Sequence, residues 1–219
     1  MLIEKQLPYK YKVYEIIKKD IIEGKYRGGD ELNERTLAES LGVSRTPIRE
    51  AIQMLQHDGW VVLETYKGAV IRSFDQRYLY ELMRVRMALE LTAVEDAARN
   101  INEESFSEIE RVYQQQEAAM GNHDTQPFQF IEMDRAFHQG IYELSGNETL
   151  VDLLNNYNDM ICVAGVRALG SDVRRSETIR EHSAILEALR QRDVEGAVQA
   201  MKEHMEQTTR NIQQHADRP

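Results

Sequence analysis

Residues 33–73 read NERTLAESLGVSRTPIREAIQMLQHDGWVVLETYKGAVIRS, and this stretch decides the fold of the N-terminal part. Asn33 is a suitable N-cap for a short helix, which Gly42 ends in a tight turn. Ser44 suits the N-cap of the next helix, and Pro47 falls in its first turn, where a missing N–H does little harm. The apolar residues of that helix have the spacing i, i+3, i+4 and i+7, which predicts one buried face: Ile48, Ala51, Ile52 and Leu55.

Elements on both sides of these two helices complete a domain. Two β-prone runs follow at 60–64 and 69–73, and the residues between them can form a turn. Three helices followed by a hairpin predict a winged helix-turn-helix domain over residues 1–74. The first helix is predicted over roughly residues 9–23 from the helical spacing of Val13, Ile16, Ile17 and Ile21.

The rest of the chain has a helical pattern. Between Pro47 and Pro219 only Pro127 interrupts it, and no strand pattern is present. The sequence therefore predicts a mostly α protein, in which residues 78–214 form an all-α antiparallel helical bundle. Its six helices are separated by breaks near Asn100, Gly121, Ser145–Asn147, Gly170 and Arg192–Asp193.

The net charge of −10 by itself disfavours a nucleic-acid partner. Residues 1–75 contain 12 basic and 12 acidic side chains, so the whole excess of acid lies in the C-terminal part. A neutral segment with clustered arginines can still bind phosphate locally. The composition therefore leaves DNA binding open for the N-terminal domain.

The chain shows no signal for export or membrane insertion. The first residues, MLIEKQLPYK, lack the apolar core of a signal peptide, and no apolar run reaches the ~18 residues of a membrane span. The single cysteine, Cys162, fits a reducing compartment and is interpreted as a packing residue. We therefore expect a cytoplasmic protein with no membrane partner.

The polar face of the third helix predicts contacts with DNA. Arg45, Thr46 and Arg49 point away from the buried stripe, and the first residues of a recognition helix meet base edges in the major groove. The alternative is a solvated face on a helix-turn-helix that never binds DNA. Position and charge add residues at the helix start, the preceding helix and the tip of the hairpin, so the predicted contacts are Arg35, Ser44, Arg45, Thr46, Arg49, Lys67 and Gly68.

The run LNERTLAESLGVSRTPIREAIQMLQHDGWV, with YKGAVI behind it, resembles the DNA-binding domain of the GntR family of regulators. The resemblance covers roughly residues 9–73. It implies DNA contacts at all of the residues just named except Lys67, which charge and position alone suggest.

Three helices of the second domain each place a histidine on an apolar face. Asp134 and His138 lie four residues apart on one stripe, His182 lies on a second and His204 on a third. Burying these groups without partners is costly, and one carboxylate with three imidazoles suits a divalent transition metal. Zinc is our first expectation, with nickel, manganese or iron also compatible. The alternative is a set of hydrogen-bonded core histidines.

A second resemblance concerns these same residues. The runs DRAFHQGIYELSGNETL, REHSAILEAL and DVEGAVQAMKEHM resemble the FCD ligand-sensing domain, which follows the GntR module in the FadR-like subfamily. The metal-binding version of that domain has one Asp and three His. The resemblance implies that Asp134, His138, His182 and His204 are metal ligands.

Arg86 is predicted to bind an effector. It lies on a stripe with Leu82 and Leu89, which turns the guanidinium inward, and the alternative is an i,i+4 ion pair with Glu90. The subfamily places the arginine of V-R-x-x-L-E beside its effector pocket, and VRMALE matches. A guanidinium beside a metal suits a carboxylate ligand.

Together these patterns predict a homodimeric transcription regulator, not an enzyme, with repression as the commoner mode in the family. Two recognition helices bind the halves of an inverted repeat, and a small organic acid at the metal and Arg86 shifts operator affinity. A metalloenzyme and a sensor of the metal itself are the alternatives.

Overall fold

The computed structural model describes residues 7–120, 127–168 and 172–215, and it divides into an N-terminal unit that ends at Phe74 and a C-terminal unit that begins at Asp75. The described part of the N-terminal unit contains three helices and an antiparallel hairpin, in agreement with the predicted order. These elements are α1 (Tyr9–Ile22), α2 (Glu34–Leu41), α3 (Arg45–His57), β1 (Val61–Glu64) and β2 (Gly68–Ile71).

The described part of the C-terminal unit is entirely helical apart from its connections, which confirms the mostly α fold class. Its helices are α4 (Gln76–Asn100), α5 (Glu103–Met120), α6 (Pro127–Ser145), α7 (Glu148–Ala168), α8 (Asp172–Arg190) and α9 (Val194–His215). Helix α4 packs mainly against α9 and α6, and α8 packs against α9 and α5. The predicted breaks near Gly121 and Gly170 lie outside the described residues.

The ends of α2 follow the predicted capping. The Asn33 carboxamide oxygen accepts hydrogen bonds from the backbone N–H groups of Arg35 at 3.0 Å and Thr36 at 3.1 Å. Gly42 follows the helix at φ 65°, a left-handed conformation that favours glycine. Ser44 occupies the N-cap position of α3, but its side chain makes no capping hydrogen bond. The prediction was therefore right about its position and wrong about its side chain.

The core of the N-terminal unit forms where α1 and α3 pack together. Ile48, Ala51 and Leu55 are fully buried, as their spacing predicts. Ile16, one of the four apolar residues whose spacing predicts α1, lies outside this core, because it is 41% exposed. At about 100° per residue, position 16 lies beyond the edge of the stripe, which Tyr14 completes instead.

The hairpin is short and has a tight tip. Val61 pairs with Ile71 and Glu64 with Gly68, so each strand has four residues. Gly68 has φ 81°, where a residue with a side chain is strained. Among the described residues no helix is both long and apolar enough to cross a membrane.

Candidate functional site

A groove of about 610 Å³ lies beside α2, α3 and the hairpin of the N-terminal unit. Ser44 and Thr46 are exposed at the beginning of α3, outside the groove lining. The structure therefore gathers most of the predicted DNA contacts on one surface. The groove is lined by five of the seven, namely Arg35, Arg45, Arg49, Lys67 and Gly68.

Glu34 lies in the same groove and was missed by the sequence analysis. Its carboxylate accepts hydrogen bonds from Arg49 Nε at 3.0 Å and Arg49 Nη2 at 2.9 Å, and from Arg45 Nη2 at 3.3 Å. The hydrogen bonds from Arg49 are the main cause that lowers the pKa of Glu34. One carboxylate thus holds Arg45 and Arg49 of α3, and the side chains of these two arginines remain 61% and 59% exposed.

The other two predicted DNA-binding cations also have acidic neighbours. Arg35 Nε lies 3.9 Å from Glu39, and Lys67 Nζ lies 3.0 Å from Glu64. The four side chains of these two pairs are between 44% and 78% exposed, and ion pairs between such exposed groups contribute little to stability. Phosphate groups can therefore displace these acids at little cost.

In the C-terminal unit three imidazoles converge. His138 of α6, His182 of α8 and His204 of α9 are almost fully buried, and each offers a ring nitrogen within 4.8 Å of the others. His138 Nε2 lies 3.2 Å from His204 Nε2. Asp134 Oδ1 lies 3.5 Å from His182 Nε2, but its side chain is 16% exposed and so less buried than its stripe predicts. The structure brings the three predicted histidine ligands together, and Asp134 approaches this group at His182.

The other nitrogen of each imidazole faces an oxygen atom. His138 Nδ1 lies 3.2 Å from Glu90 Oε2, and His204 Nδ1 lies 2.7 Å from Glu181 Oε2. Carboxylate oxygens accept hydrogen bonds, so these Nδ1 atoms carry the protons and their Nε2 lone pairs face inward. His182 Nδ1 is held in the same way at 2.8 Å by Gln116 Oε1, and His182 Nε2 has no hydrogen-bond partner in the described part of the chain.

This orientation is the one that metal-binding histidines have in proteins, where Nδ1–H is held by an oxygen and Nε2 is left for the metal. Burial lowers the pKa of His182 well below its usual value and also lowers the pKa of His204, which favours the neutral rings that a metal needs. The donor set and its surroundings therefore fit a divalent transition metal.

The oxygen partners were missed as a group by the sequence analysis. Glu90 had been considered only as a partner of Arg86, and Glu181 is the residue before His182 in the motif REHSAILEAL. Burial raises the pKa of Glu90, but the neighbouring His138 and Arg86 outweigh it, so the pKa is about 2.

Arg86 makes the i,i+4 ion pair with Glu90 that was the alternative interpretation, and its role toward an effector stays a prediction. Its side chain is 7% exposed and therefore points inward, and its Nε donates to Glu90 Oε1 at 3.0 Å. Because Glu90 also holds His138, the predicted effector residue and one predicted metal ligand meet at the same carboxylate.

A cavity of about 40 Å³ lies against Asp134, the carboxylate among the four predicted metal ligands. Cys162 also lines it and is buried, in agreement with a packing role, and burial raises the pKa of its thiol to about 11. The cavity therefore borders the candidate metal site at Asp134, and its mainly apolar lining carries several polar groups. Its polar walls include Arg86, Asp134, Arg135, Asn158 and Arg174.

Comparisons with known proteins agree with both parts of this description. The family described as bacterial regulatory proteins, gntR family, matches residues 10–71, and the FCD domain family matches residues 81–207. The uncharacterized HTH-type transcriptional regulator YdhC of Bacillus subtilis (strain 168) is 32% identical over 202 residues, which cover 92% of this chain and 90% of YdhC.

Two further relatives extend the likeness over almost the whole chain. The HTH-type transcriptional repressor RspR of Escherichia coli (strain K12) is 27% identical over 98% of this chain and 95% of its own length. The solved structure of E. coli McbR/YncC superposes with a TM-score of 0.74 at 25% identity and covers 95% of this chain and 99% of that one. The families and relatives are transcription regulators and not enzymes, so the metalloenzyme alternative is wrong. The chain belongs to the GntR family of bacterial transcription regulators, with an FCD domain behind its DNA-binding domain.

Proposed function

We propose that this DNA-binding regulator holds a divalent metal with Asp134, His138, His182 and His204, and that a small carboxylate bound there controls its affinity for an operator. The observation that carries the proposal is the orientation of the three buried imidazoles. Their Nδ1 atoms are engaged by oxygen atoms, the Nε2 atoms of His138 and His204 lie 3.2 Å apart, and one ring nitrogen of each histidine lies within 4.8 Å of the others.

A hydrogen-bonded core cluster accounts less well for this geometry. His138 Nε2 and His204 Nε2 lie 3.2 Å apart, and two neutral lone pairs at that distance repel. A neutral imidazole carries only one proton. If that proton lies on Nε2, then Nδ1 has a lone pair, and this lone pair faces the carboxylate of Glu90 or Glu181. A cation between the nitrogens satisfies every group at once. Three nitrogens and one oxygen suit zinc first, with nickel or manganese as alternatives.

The cavity supports a carboxylate as the effector. Its three arginines already have acidic partners, because Arg86 pairs with Glu90, Arg135 with Asp159 and Arg174 with Glu181. The walls therefore offer directed hydrogen bonds but little surplus positive charge. A bound divalent ion supplies that charge, so we expect a carboxylate to bind only when the metal is present.

For the DNA side we propose a homodimer whose two recognition helices bind the halves of an inverted repeat. The exposed Arg45 and Arg49 would contact bases, and the hairpin tip at Lys67 and Gly68 would contact the adjacent groove. We propose that the protein represses transcription, and the name of the relative RspR, a transcriptional repressor, supports this direction. An acid that binds one arrangement of the dimer more tightly changes operator affinity by that difference.

The test begins with metal analysis of the purified protein and with operator DNA that the protein itself selects from a random duplex pool. Binding to that DNA is then measured with a panel of small carboxylates, with and without a chelator. We expect a bound transition metal, an inverted repeat in the selected DNA and an acid that weakens binding only without chelator. If the same acid weakens operator binding equally well in the presence of chelator, the proposal is contradicted. If the metal alone changes operator affinity and none of the acids does, the result favours a sensor of the metal itself.

A further inference from the structure

We propose that Asn158 selects effectors that carry a hydrogen-bond donor, a hydroxyl or ammonium group, close to the carboxylate. The inference rests on the proposed function, because it takes the cavity beside Asp134 as the effector site. Asn158 lines that cavity from α7, and its side chain is buried.

The neighbours of Asn158 determine which end of its amide is free. Tyr142 has one hydroxyl proton and donates it to Glu90 Oε1 at 2.5 Å. The phenolic oxygen is then an acceptor, and Asn158 Nδ2 donates to it at 3.0 Å. A flipped amide would place two acceptor oxygens against each other with no proton between them. The amide nitrogen therefore faces Tyr142, and Oδ1 is the remaining polar atom.

Asn158 Oδ1 is buried and has no hydrogen-bond partner among the described residues. The residue is only 6% exposed, and a buried acceptor without a donor is unfavourable. The arginine side chains of the cavity can only donate, so they suit the carboxylate of a ligand. Asn158 Oδ1 is the complementary group, because it needs a proton from the ligand.

Ligand selection follows from which ligand can satisfy Asn158 Oδ1. This oxygen has almost no solvent-accessible surface and no hydrogen-bond partner among the described residues, so its donor has to come from a ligand that fills the cavity. An acid without a donor leaves the buried acceptor unsatisfied, whereas a hydroxy acid satisfies it directly. We expect the difference to be at least ~10-fold in affinity.

The first experiment compares three acids of one skeleton by calorimetry on the metal-loaded wild-type protein: hydroxyacetate, acetate and methoxyacetate. Methoxyacetate keeps the second oxygen that can coordinate a metal but has no proton to donate. We expect hydroxyacetate to bind at least ~10-fold more tightly than both others. Equal binding of hydroxyacetate and methoxyacetate overturns the inference and leaves the proposed function intact. Binding that ignores the metal overturns the proposed function and this inference with it, whereas binding of none of the three acids overturns this inference alone.

The second experiment assigns the preference to Asn158. In Asn158→Leu the advantage of hydroxyacetate over methoxyacetate should disappear, while Asn155→Leu, on the same helix but outside the cavity lining, should keep it. Circular dichroism checks that each variant folds, and Asn158→Ala replaces Asn158→Leu if the larger side chain prevents folding. A folded Asn158 variant that keeps the full preference contradicts the assignment.

Discussion

The two candidate sites are built in opposite ways. The DNA-binding surface is exposed and lies within residues 34–68. Its basic side chains form ion pairs with acidic side chains that are also accessible to water. The histidine site is buried, and its groups come from helices that are far apart in sequence, from Glu90 of α4 to His204 of α9. A surface for DNA has to exchange its internal ion pairs for phosphates and bases. A metal site has to keep its internal hydrogen bonds when it binds, so mutations should affect the two sites to different degrees.

The largest effect is expected from His182→Ala. The variant loses one of three buried nitrogen ligands, and metal affinity should fall by more than the ~10- to 100-fold that loss of a supporting residue costs. His182 also stacks on Phe137 at 4.0 Å, so the variant loses packing as well. The decisive quantity is therefore the difference in Tm with and without chelator, which should vanish. The exposed His57→Ala is the control and should keep that difference, and an unchanged chelator effect in His182→Ala contradicts the metal site.

Arg49→Ala should be next. A guanidinium that reads a base is worth about 1–3 kcal/mol, so operator affinity should fall roughly 5- to 150-fold while binding to random DNA changes much less. Fluorescence anisotropy at one salt concentration measures both affinities. Arg27→Ala also removes an exposed positive charge of this unit, but outside the groove, and should leave the ratio of the two affinities unchanged. Retained operator affinity in Arg49→Ala refutes the assignment of α3 as the recognition helix.

The sequence predicted the DNA-binding surface better than its internal contacts. Capping and helical spacing are local properties, so α2, α3 and their exposed faces could be located from one contiguous run. The role of Glu34 could not, because its partners lie 11 and 15 residues away on another helix. The burial of Tyr14 was missed for a related reason, since a tyrosine beside an apolar stripe gives no local sign that it belongs to the core.

The histidine site shows the same limit at longer range. Each ligand could be found because it interrupts an apolar stripe, which is again a local signal. Gln116 gives no such signal, since a glutamine among polar residues of α5 looks solvated, and only packing against α8 brings it to His182. The orientation of the imidazoles, on which the metal proposal depends, was therefore not predictable from the sequence.

Glu181→Gln should weaken the metal site less than loss of a ligand. Glu181 accepts from His204 Nδ1 at 2.7 Å and from Arg174 at 2.6 and 2.9 Å, and a neutral amide holds both more weakly. Removal of a group that orients a metal-bound histidine lowers metal affinity about 10- to 100-fold. Competition with a chromogenic chelator measures it. Glu177→Gln makes the same change on α8 at a carboxylate 3.6 Å from Arg174, and it should have no effect of this size.

The smallest effect, and the one that tests the exchange of ion pairs most directly, is expected from Glu34→Gln. Glu34 neutralises part of the charge of Arg45 and Arg49 and holds both guanidiniums in one place. Its loss should raise affinity for random DNA a few-fold and make the slope of log affinity against log salt steeper by about one, because one more positive charge meets phosphate. Operator affinity should gain less, since the arginines are no longer oriented toward the bases, and the ratio of operator to random binding should fall.

Glu50→Gln is the control. Glu50 is an exposed acid of α3 that makes no hydrogen bond to Arg45 or Arg49, so its loss should steepen the salt slope without lowering the ratio of operator to random binding. If Glu34→Gln also keeps the ratio, the carboxylate is only a neutralising charge, and the arginines do not depend on it for their orientation.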